Sequence, residues 1–390
     1  MSKATRSPEV SVVIPAYNAI AYLGETVKSV IGQSFSAWEL IIVDDGSTDS
    51  TLDVANELAT LDDRISVFSG PNRGVAGARN EGFRQSCPTS AFVVFLDQDD
   101  LLEPRALETL LEAQRAQPGA LLTYGDVRYI DGAGSLLPDE RRNQIPERMT
   151  LNGRGVVPES DDASLTFETL IVGNLIQTPG VAIIPRETFE KVGCFDIRLA
   201  GTDDLHFWFR ASLLGSLRHH AEVVLAYRVH PGAVSRNHQR MIDQTERAFK
   251  ILLSETALTD EQRDRVEYIY TIRIGIGAAR VDQWRTAERL LLDAMKGRSA
   301  SPETDIEGLN APLLALLGGD KGLWDRLFAG PPSTLSGEDR KRLESTRRTI
   351  ESRLAWIHSR LAARAARKKD VTEFASELGQ MLVAWAKSMG

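Results

Sequence analysis

The stretch VSVVIPAYNA, Val10–Ala19, opens with a β-branched apolar run, interrupted at Ser11, and breaks into turn residues after Pro15. A run without polar alternation suits a strand covered on both faces, as in a sheet flanked by helices. Working outward, Leu23, Val27, Val30 and Ile31 recur at helical spacing and predict an amphipathic helix. Leu40–Val43 is a second apolar run, and Asp49 or Ser50 caps the helix expected after it, whose inward side carries Leu52, Ala55 and Ala59. Ile65–Phe68 and Phe92–Leu96 read as strands on either side of a helical stretch, Gly74–Ser86. Pro104 suits a helix start with Leu107, Leu110 and Leu111 as its stripe, and Leu121–Tyr124 supplies a further strand. Strands alternating with helices at this spacing predict right-handed crossovers and a mostly parallel central sheet. Ligands bind such sheets beyond the carboxyl ends of the strands.

Further along, Asp131–Asp162 is polar and aperiodic, a loop long enough to be either a mobile lid or disordered; as a lid it would close over the site and exclude water. Order is expected to resume at Phe167, with a strand at Gly180–Ile184, a helix at Leu205–Leu214 and a last strand at Val223–Val229. The catalytic domain is therefore drawn at 8–238, with 239–390 as a helical C-terminal appendage. Within the appendage, Thr259 and Gln262 form a capping box ahead of Val266, Ile269 and Tyr270. Trp284, Ala287, Leu290 and Leu291 mark another helix, 331–339 a linker, and Leu343, Ile350, Leu354, Ile357 and Leu361 the face of a long final helix. Eleven Lys or Arg residues lie between Arg340 and Lys369. Two readings are open for that basic helix: peripheral contact with an anionic membrane surface, or packing on its own domain or a second subunit; the second is preferred.

The chain has 390 residues, 42% of them hydrophobic and 26% charged, with a formal net charge of −8. That balance fits a soluble globular protein and excludes general nucleic-acid binding, which needs a basic face. The two cysteines, Cys87 and Cys194, show no metal-ligand spacing and read as free thiols in a reducing compartment. The N-terminus lacks the apolar stretch of a signal peptide, and no apolar run is long enough for a membrane span. A cytoplasmic location, with peripheral contact at the inner face of the membrane still open, is the expectation.

Five strings carry chemistry. In FLDQDD, Asp97 and Asp99 stand two apart after a buried strand, with Asp100 adjacent. If the backbone stays extended there, both carboxylates project to one side. Clustered carboxylates repel unless a cation sits among them, and Mg²⁺ or Mn²⁺ suits oxygen ligands and bridges to phosphates; the plainer reading is a solvated acidic turn. In VDDGSTD, Asp44 and Asp45 end another strand, where a carboxylate can accept from a base or ribose, although part of the string is helix-capping chemistry. PNRGVAGARNEG combines small residues that let backbone or ligand approach closely with Arg73 and Arg79, which suit phosphate; tight helix-on-sheet packing explains the small residues equally well. In AGTDDLHFWFR, Asp203 and Asp204 open a helix, either as caps or as a general base. In YRVH, His230 is a structural histidine or a metal ligand.

Taken in order, VSVVIPAYNA, VDDGSTD, NRGVAGARN, FLDQDD, GCFD, TDDLHFWFRA and YRVH resemble glycosyltransferase family 2 over Val10–Ser235. The resemblance implies the A-type, Rossmann-like fold and an inverting enzyme that uses a nucleotide-diphosphate sugar, UDP by default, with Mn²⁺ or Mg²⁺. It implies that Pro15, Tyr17 and Asp45 hold the base and ribose with Asp44 nearby, and that Arg79 lies close to the nucleotide. Asp97 and Asp99 match the D-x-D, Asp99 as the leading metal ligand with Asp100 and His230 as others. Asp204 matches the base. Relatives commonly carry Glu–Asp where this chain has Asp203–Asp204, which keeps Asp203 in contention.

No Q-x-x-R-W element and no membrane spans accompany these strings, so a single-addition enzyme is expected rather than a processive synthase. The acceptor would be a glycan or lipid-linked hydroxyl, in cell-surface polysaccharide or glycoconjugate synthesis. A sugar nucleotidyltransferase would carry a Gly-rich basic loop after the first strand, where this chain has PAYNAIAYL. A catalytically silent nucleotide-sugar-binding or scaffold protein would not need all of the acids.

Overall fold

The computed structural model describes residues 7–137, 164–171, 174, 176–280 and 290. The long polar segment is thus seen only at its start, and the readings of 284–287, 291 and 331–369 lie outside the described residues.

Strand β1 (Val10–Ala16) is buried along its whole length, as its largely apolar run requires. It sits between two parallel neighbours, β2 (Trp38–Asp44) and β4 (Phe92–Phe95), and β2 pairs in turn with β3 (Ile65–Ser69), also parallel. Helices α1 (Leu23–Ile31), α2 (Thr51–Ala59) and α3 (Gly74–Gln85) connect these strands. Beyond β4 the sheet becomes mixed. A short β5 (Leu101–Leu102) and helix α4 (Ala106–Ala116) lead into β6 (Leu122–Asp131). The short β7 (Ser164–Leu165), helix α5 (Phe167–Leu170), β8 (Ala182–Pro185), helix α6 (Arg186–Val192), helix α7 (Asp203–Ser212) and the long β9 (Leu217–Val229) follow. The strand order is β3-β2-β1-β4-β8-β6-β9-β5, with β7 pairing on β9. β8 enters antiparallel between β4 and β6, whereas β6 and β9 pair in parallel. The sheet is therefore parallel in its first half and mixed in its second, within the expected α/β architecture.

The last two strands run longer than the apolar residues alone indicate. β6 continues through the polar Asp126 and Arg128, and β9 begins at Leu217. Their pairing shifts register between Tyr124 and Val127. Gly125 allows this, since a Cβ there would lie 2.7 Å from Val224 and 2.8 Å from the Glu222 carbonyl.

Two helices follow β9, α8 (His238–Glu255) and α9 (Asp260–Arg280). The capping box forms as read: Thr259 N–H donates to Gln262 Oε1 at 3.1 Å, and Gln262 N–H to Thr259 Oγ1 at 3.2 Å. The chain divides into two compact units, with the described residues through Glu267 in the first and those from Tyr268 in the second. α8 belongs to the first. Its Phe249 meets Phe209 of α7, and the Gln244 carbonyl accepts from Thr202 Oγ1 at 3.2 Å.

Helix α3 packs closely on β1 and β2. A Cβ on Gly82 would come within 2.3 Å of Val13 and 3.2 Å of Val43, which is why small residues fill this helix. Overpacking of that kind costs ~1–3 kcal/mol, so Gly82→Ala is expected to lower the urea-unfolding free energy by about that amount.

Candidate active site

The carboxyl ends of β1, β2 and β4, the start of α7 and the end of β9 bring the candidate residues to one side of the sheet. At β2, Asp44 is buried and spends both oxygens on the framework: Oδ2 accepts from Ser69 Oγ at 2.8 Å and Oδ1 from Ser47 N–H at 3.3 Å. Asp45 accepts the Arg73 N–H at 2.7 Å. Burial raises the pKa of Asp45, the Arg73 and Gly74 amides oppose that shift, and Asp44 adds to it. Pro15 lies within β1, opposite Val43. Tyr17 follows it with an exposed side chain, and Asn18 takes a left-handed φ of 48°. That strained turn is held by Asn18 N–H to Ser47 Oγ at 3.0 Å and Thr48 N–H to Asn18 Oδ1 at 2.9 Å.

The acidic run does not continue as a strand. β4 ends at Phe95 and the chain turns, closed by Asp100 N–H to the Asp97 carbonyl at 3.3 Å. Gln98 fastens the turn, its Oε1 accepting Tyr17 N–H at 2.7 Å, while its carbonyl accepts Thr26 Oγ1 at 2.9 Å. The expectation of two carboxylates projecting side by side is therefore corrected, because the chain turns at Gln98, which is held by the Tyr17 N–H just after β1 and by the Thr26 hydroxyl of α1. Asp97 faces Arg79 and Thr178, with Nη2 at 2.5 Å and Oγ1 at 3.0 Å. Asp99 instead faces His230, whose Nε2 lies 2.8 Å from Oδ2. Asp100 is turned into the protein, with Oδ1 on the Arg228 N–H at 2.9 Å and Oδ2 buried without a partner. Burial, and then the charges of Asp99 and Asp97, raise the Asp100 pKa well above the usual carboxylate range.

Arg79 joins this end of the site to the other. Its Nη1 donates to Asp203 at 2.5 Å while Nη2 holds Asp97, and its side chain is only 5% exposed. Burial alone would lower the guanidinium pKa, but Asp97, Asp203 and Asp204 together raise it above its ordinary value. Arg79 is thus committed to carboxylates rather than left open to phosphate. Asp203 is fully buried against it and also accepts the Gly201 N–H at 3.3 Å. Asp204, 8% exposed, accepts only the N–H of the following Leu205 at 2.7 Å among its described hydrogen bonds. Burial, then Asp203, push its pKa up to about 7 in spite of Arg79.

Among the described residues, no group of three or more His, Cys, Asp or Glu side chains is arranged to hold a metal ion. Asp99 and His230, hydrogen-bonded to each other here, are the pair whose separation suits two adjacent positions around a small divalent cation. Their 2.8 Å separation is close to the ~3 Å between neighbouring ligands of an octahedral ion bound at 2.0–2.1 Å. Mg²⁺-like ions ordinarily take their remaining ligands from water and phosphate.

The Glycosyl transferase family 2 model matches residues 11–190. A Bacillus subtilis protein provisionally named a teichuronic acid biosynthesis glycosyltransferase, TuaG, is 32% identical over 240 residues, 61% of this chain and 86% of that one. The chain belongs to glycosyltransferase family 2. Its fold is shared with S. aureus TarS 1–349 in complex with UDP-GlcNAc, at a TM-score of 0.54 and 15% identity over 82% of this chain and 90% of that one. It is shared also with mannosyltransferase PcManGT from Pyrobaculum calidifontis in complex with GDP-Man and Mn²⁺, at a TM-score of 0.51 and 19% identity over 83% and 85%.

Sequence reasoning missed Gln98, Thr178 and Arg228. Gln98 and Arg228 stood inside quoted strings, FLDQDD and YRVH. Thr178 lies in a segment that carries no pattern. Removing one partner from a buried ion pair costs ~3–5 kcal/mol. Arg79→Met is therefore expected to lose about that much stability in urea, and the Arg79→Met/Asp203→Leu double variant to recover part of it.

Proposed function

We propose that this glycosyltransferase moves a sugar from a nucleotide-diphosphate donor to an acceptor hydroxyl by single displacement with inversion, one sugar per encounter, with Asp204 as the general base. The observation that carries this reading is the Asp204 carboxyl. It is the buried acid at the head of α7 whose pKa is raised to about 7, which lets it take a proton near neutral pH and hold it while the bond forms. Asp203, sealed by Arg79, serves to raise and orient its neighbour.

The exposed Tyr17 ring, Pro15 and Asp45 would hold the base and ribose, with Asp44 shaping the turn beneath them. UDP is the preferred nucleotide, a choice supported by the UDP-GlcNAc complex of TarS. Asp99 and His230 would hold Mn²⁺ or Mg²⁺, with Asp97 alongside and Asp100 behind; such an ion would supply positive charge to offset that of the diphosphate leaving group. A cation is supported also by the Mn²⁺ complex of PcManGT. Arg79 then keeps the donor end and the base at a fixed separation, which is the positioning that a direct displacement needs. A polysaccharide or lipid-linked sugar is the acceptor we favour, in line with the name of the TuaG relative. Among the described residues no helix is long and apolar enough to cross a membrane, and we place the enzyme in the cytoplasm.

Asp204→Asn is expected to reduce transfer by roughly a hundredfold to ten-thousandfold while leaving the thermal shift induced by UDP and Mn²⁺ in place. Full transfer by this variant would remove Asp204 from the reaction. Because the base must be ionised, the kcat/KM of the wild-type enzyme should rise about tenfold per pH unit below about 7 and level off above it. A profile flat from pH 5 to 8 would contradict the assignment.

A further inference from the structure

Arg228 plays no part in the reaction as described above, yet it is fully buried and among the largest such side chains of the chain. A buried guanidinium is tolerated only where its donors are matched. Nε donates to the Asp99 carbonyl at 2.8 Å, Nη1 to the Gly132 carbonyl at 3.2 Å and Nη2 to Glu25 Oε2 at 2.7 Å. Its backbone N–H holds Asp100. One residue thus joins α1, the acidic turn, the end of β6 and the end of β9.

The geometry around Asp99 is specific. Arg228 and His230 are two apart, so they project to the same side as β9 ends. Arg228 grips the main chain of Asp99 and His230 meets its carboxylate. The Tyr22 ring supports both, 4.7 Å from the Arg228 guanidinium and 4.7 Å from the His230 ring. Asp99 is therefore held at two points by one strand, and the distance from its carboxylate to the His230 imidazole is set by that grip.

We infer that Arg228, braced by Glu25 and Tyr22, is a positioning residue that fixes the Asp99–His230 pair for cation-dependent binding of the nucleotide diphosphate. The inference rests on the donor site proposed above. Glu25 has a 57% exposed side chain, so it can be altered without opening the core. Partners that orient metal ligands typically contribute 10–100-fold in metal affinity.

The test measures Mn²⁺ binding to the full chain in the presence of UDP, by the loss of the free-ion electron paramagnetic resonance signal. UDP binding in EDTA and thermal melting are measured in parallel on wild type, Glu25→Gln and Arg228→Lys. We expect the Mn²⁺ Kd to rise about tenfold in Arg228→Lys and several-fold in Glu25→Gln. Metal-free UDP affinity should stay unchanged in both variants, a separation that general loosening would not produce. Should Arg228→Lys fail to fold, Glu25→Gln decides by itself. Wild-type Mn²⁺ affinity in each variant that folds, or an equal loss of metal-free UDP binding, overturns this inference and leaves the donor site standing. Absence of Mn²⁺-dependent UDP binding in the wild-type chain overturns both.

Discussion

Arg79 reaches up from α3 with both of its terminal nitrogens taken by carboxylates that belong to different ends of the site. Because the guanidinium is buried, neither contact can be exchanged for water at low cost. Asp97 and Asp203 are consequently held at a separation set by the planar fork of one side chain. The acidic turn after β4 and the first residues of α7 share this guanidinium, although they lie far apart in sequence. The small residues of α3 bring that helix close enough to the sheet for Arg79 to reach, with Gly82 in contact range of Val13 and Val43.

From this bridge the division of labour among the acids follows. Asp97, Asp99, Asp203 and Asp204 differ in what each one touches. Asp97 and Asp203 share the single charge of Arg79. Asp99 keeps a partly exposed carboxylate beside an imidazole. Asp204 has the charge of Asp203 beside it and little solvent, and so holds a proton more tightly than an ordinary carboxylic acid. One residue type thus supplies a strut and, in the reaction proposed above, an ion ligand and a base, with environment doing the sorting.

The helices after β9 bear on this arrangement as well. α8 contacts the loop leading into α7, where the Ala200 N–H donates to Gln244 Oε1 at 2.9 Å and Thr202 to the Gln244 carbonyl. These hydrogen bonds join α8 to the residues that lead into Asp203 and Asp204. Bonds of this kind leave little trace in local sequence, since a glutamine on an amphipathic helix looks the same whether it faces solvent or a partner.

The sequence by itself determined the alternation of strands and helices, through local apolar runs such as Val10–Ile14 and Leu40–Val43. It determined too that acids fall at strand ends. Those features are local, because a largely apolar run is buried in whichever sheet forms and polar residues must follow where it meets solvent. Tertiary structure decided the direction of β8, the turn at Gln98 that separates Asp97 from Asp99, and the commitment of Arg79 and Arg228 to partners distant in the chain. Each of these rests on contacts between segments whose approach no local pattern encodes. The roles of the individual carboxylates depend on burial and neighbouring charge, which exist only once the chain has folded.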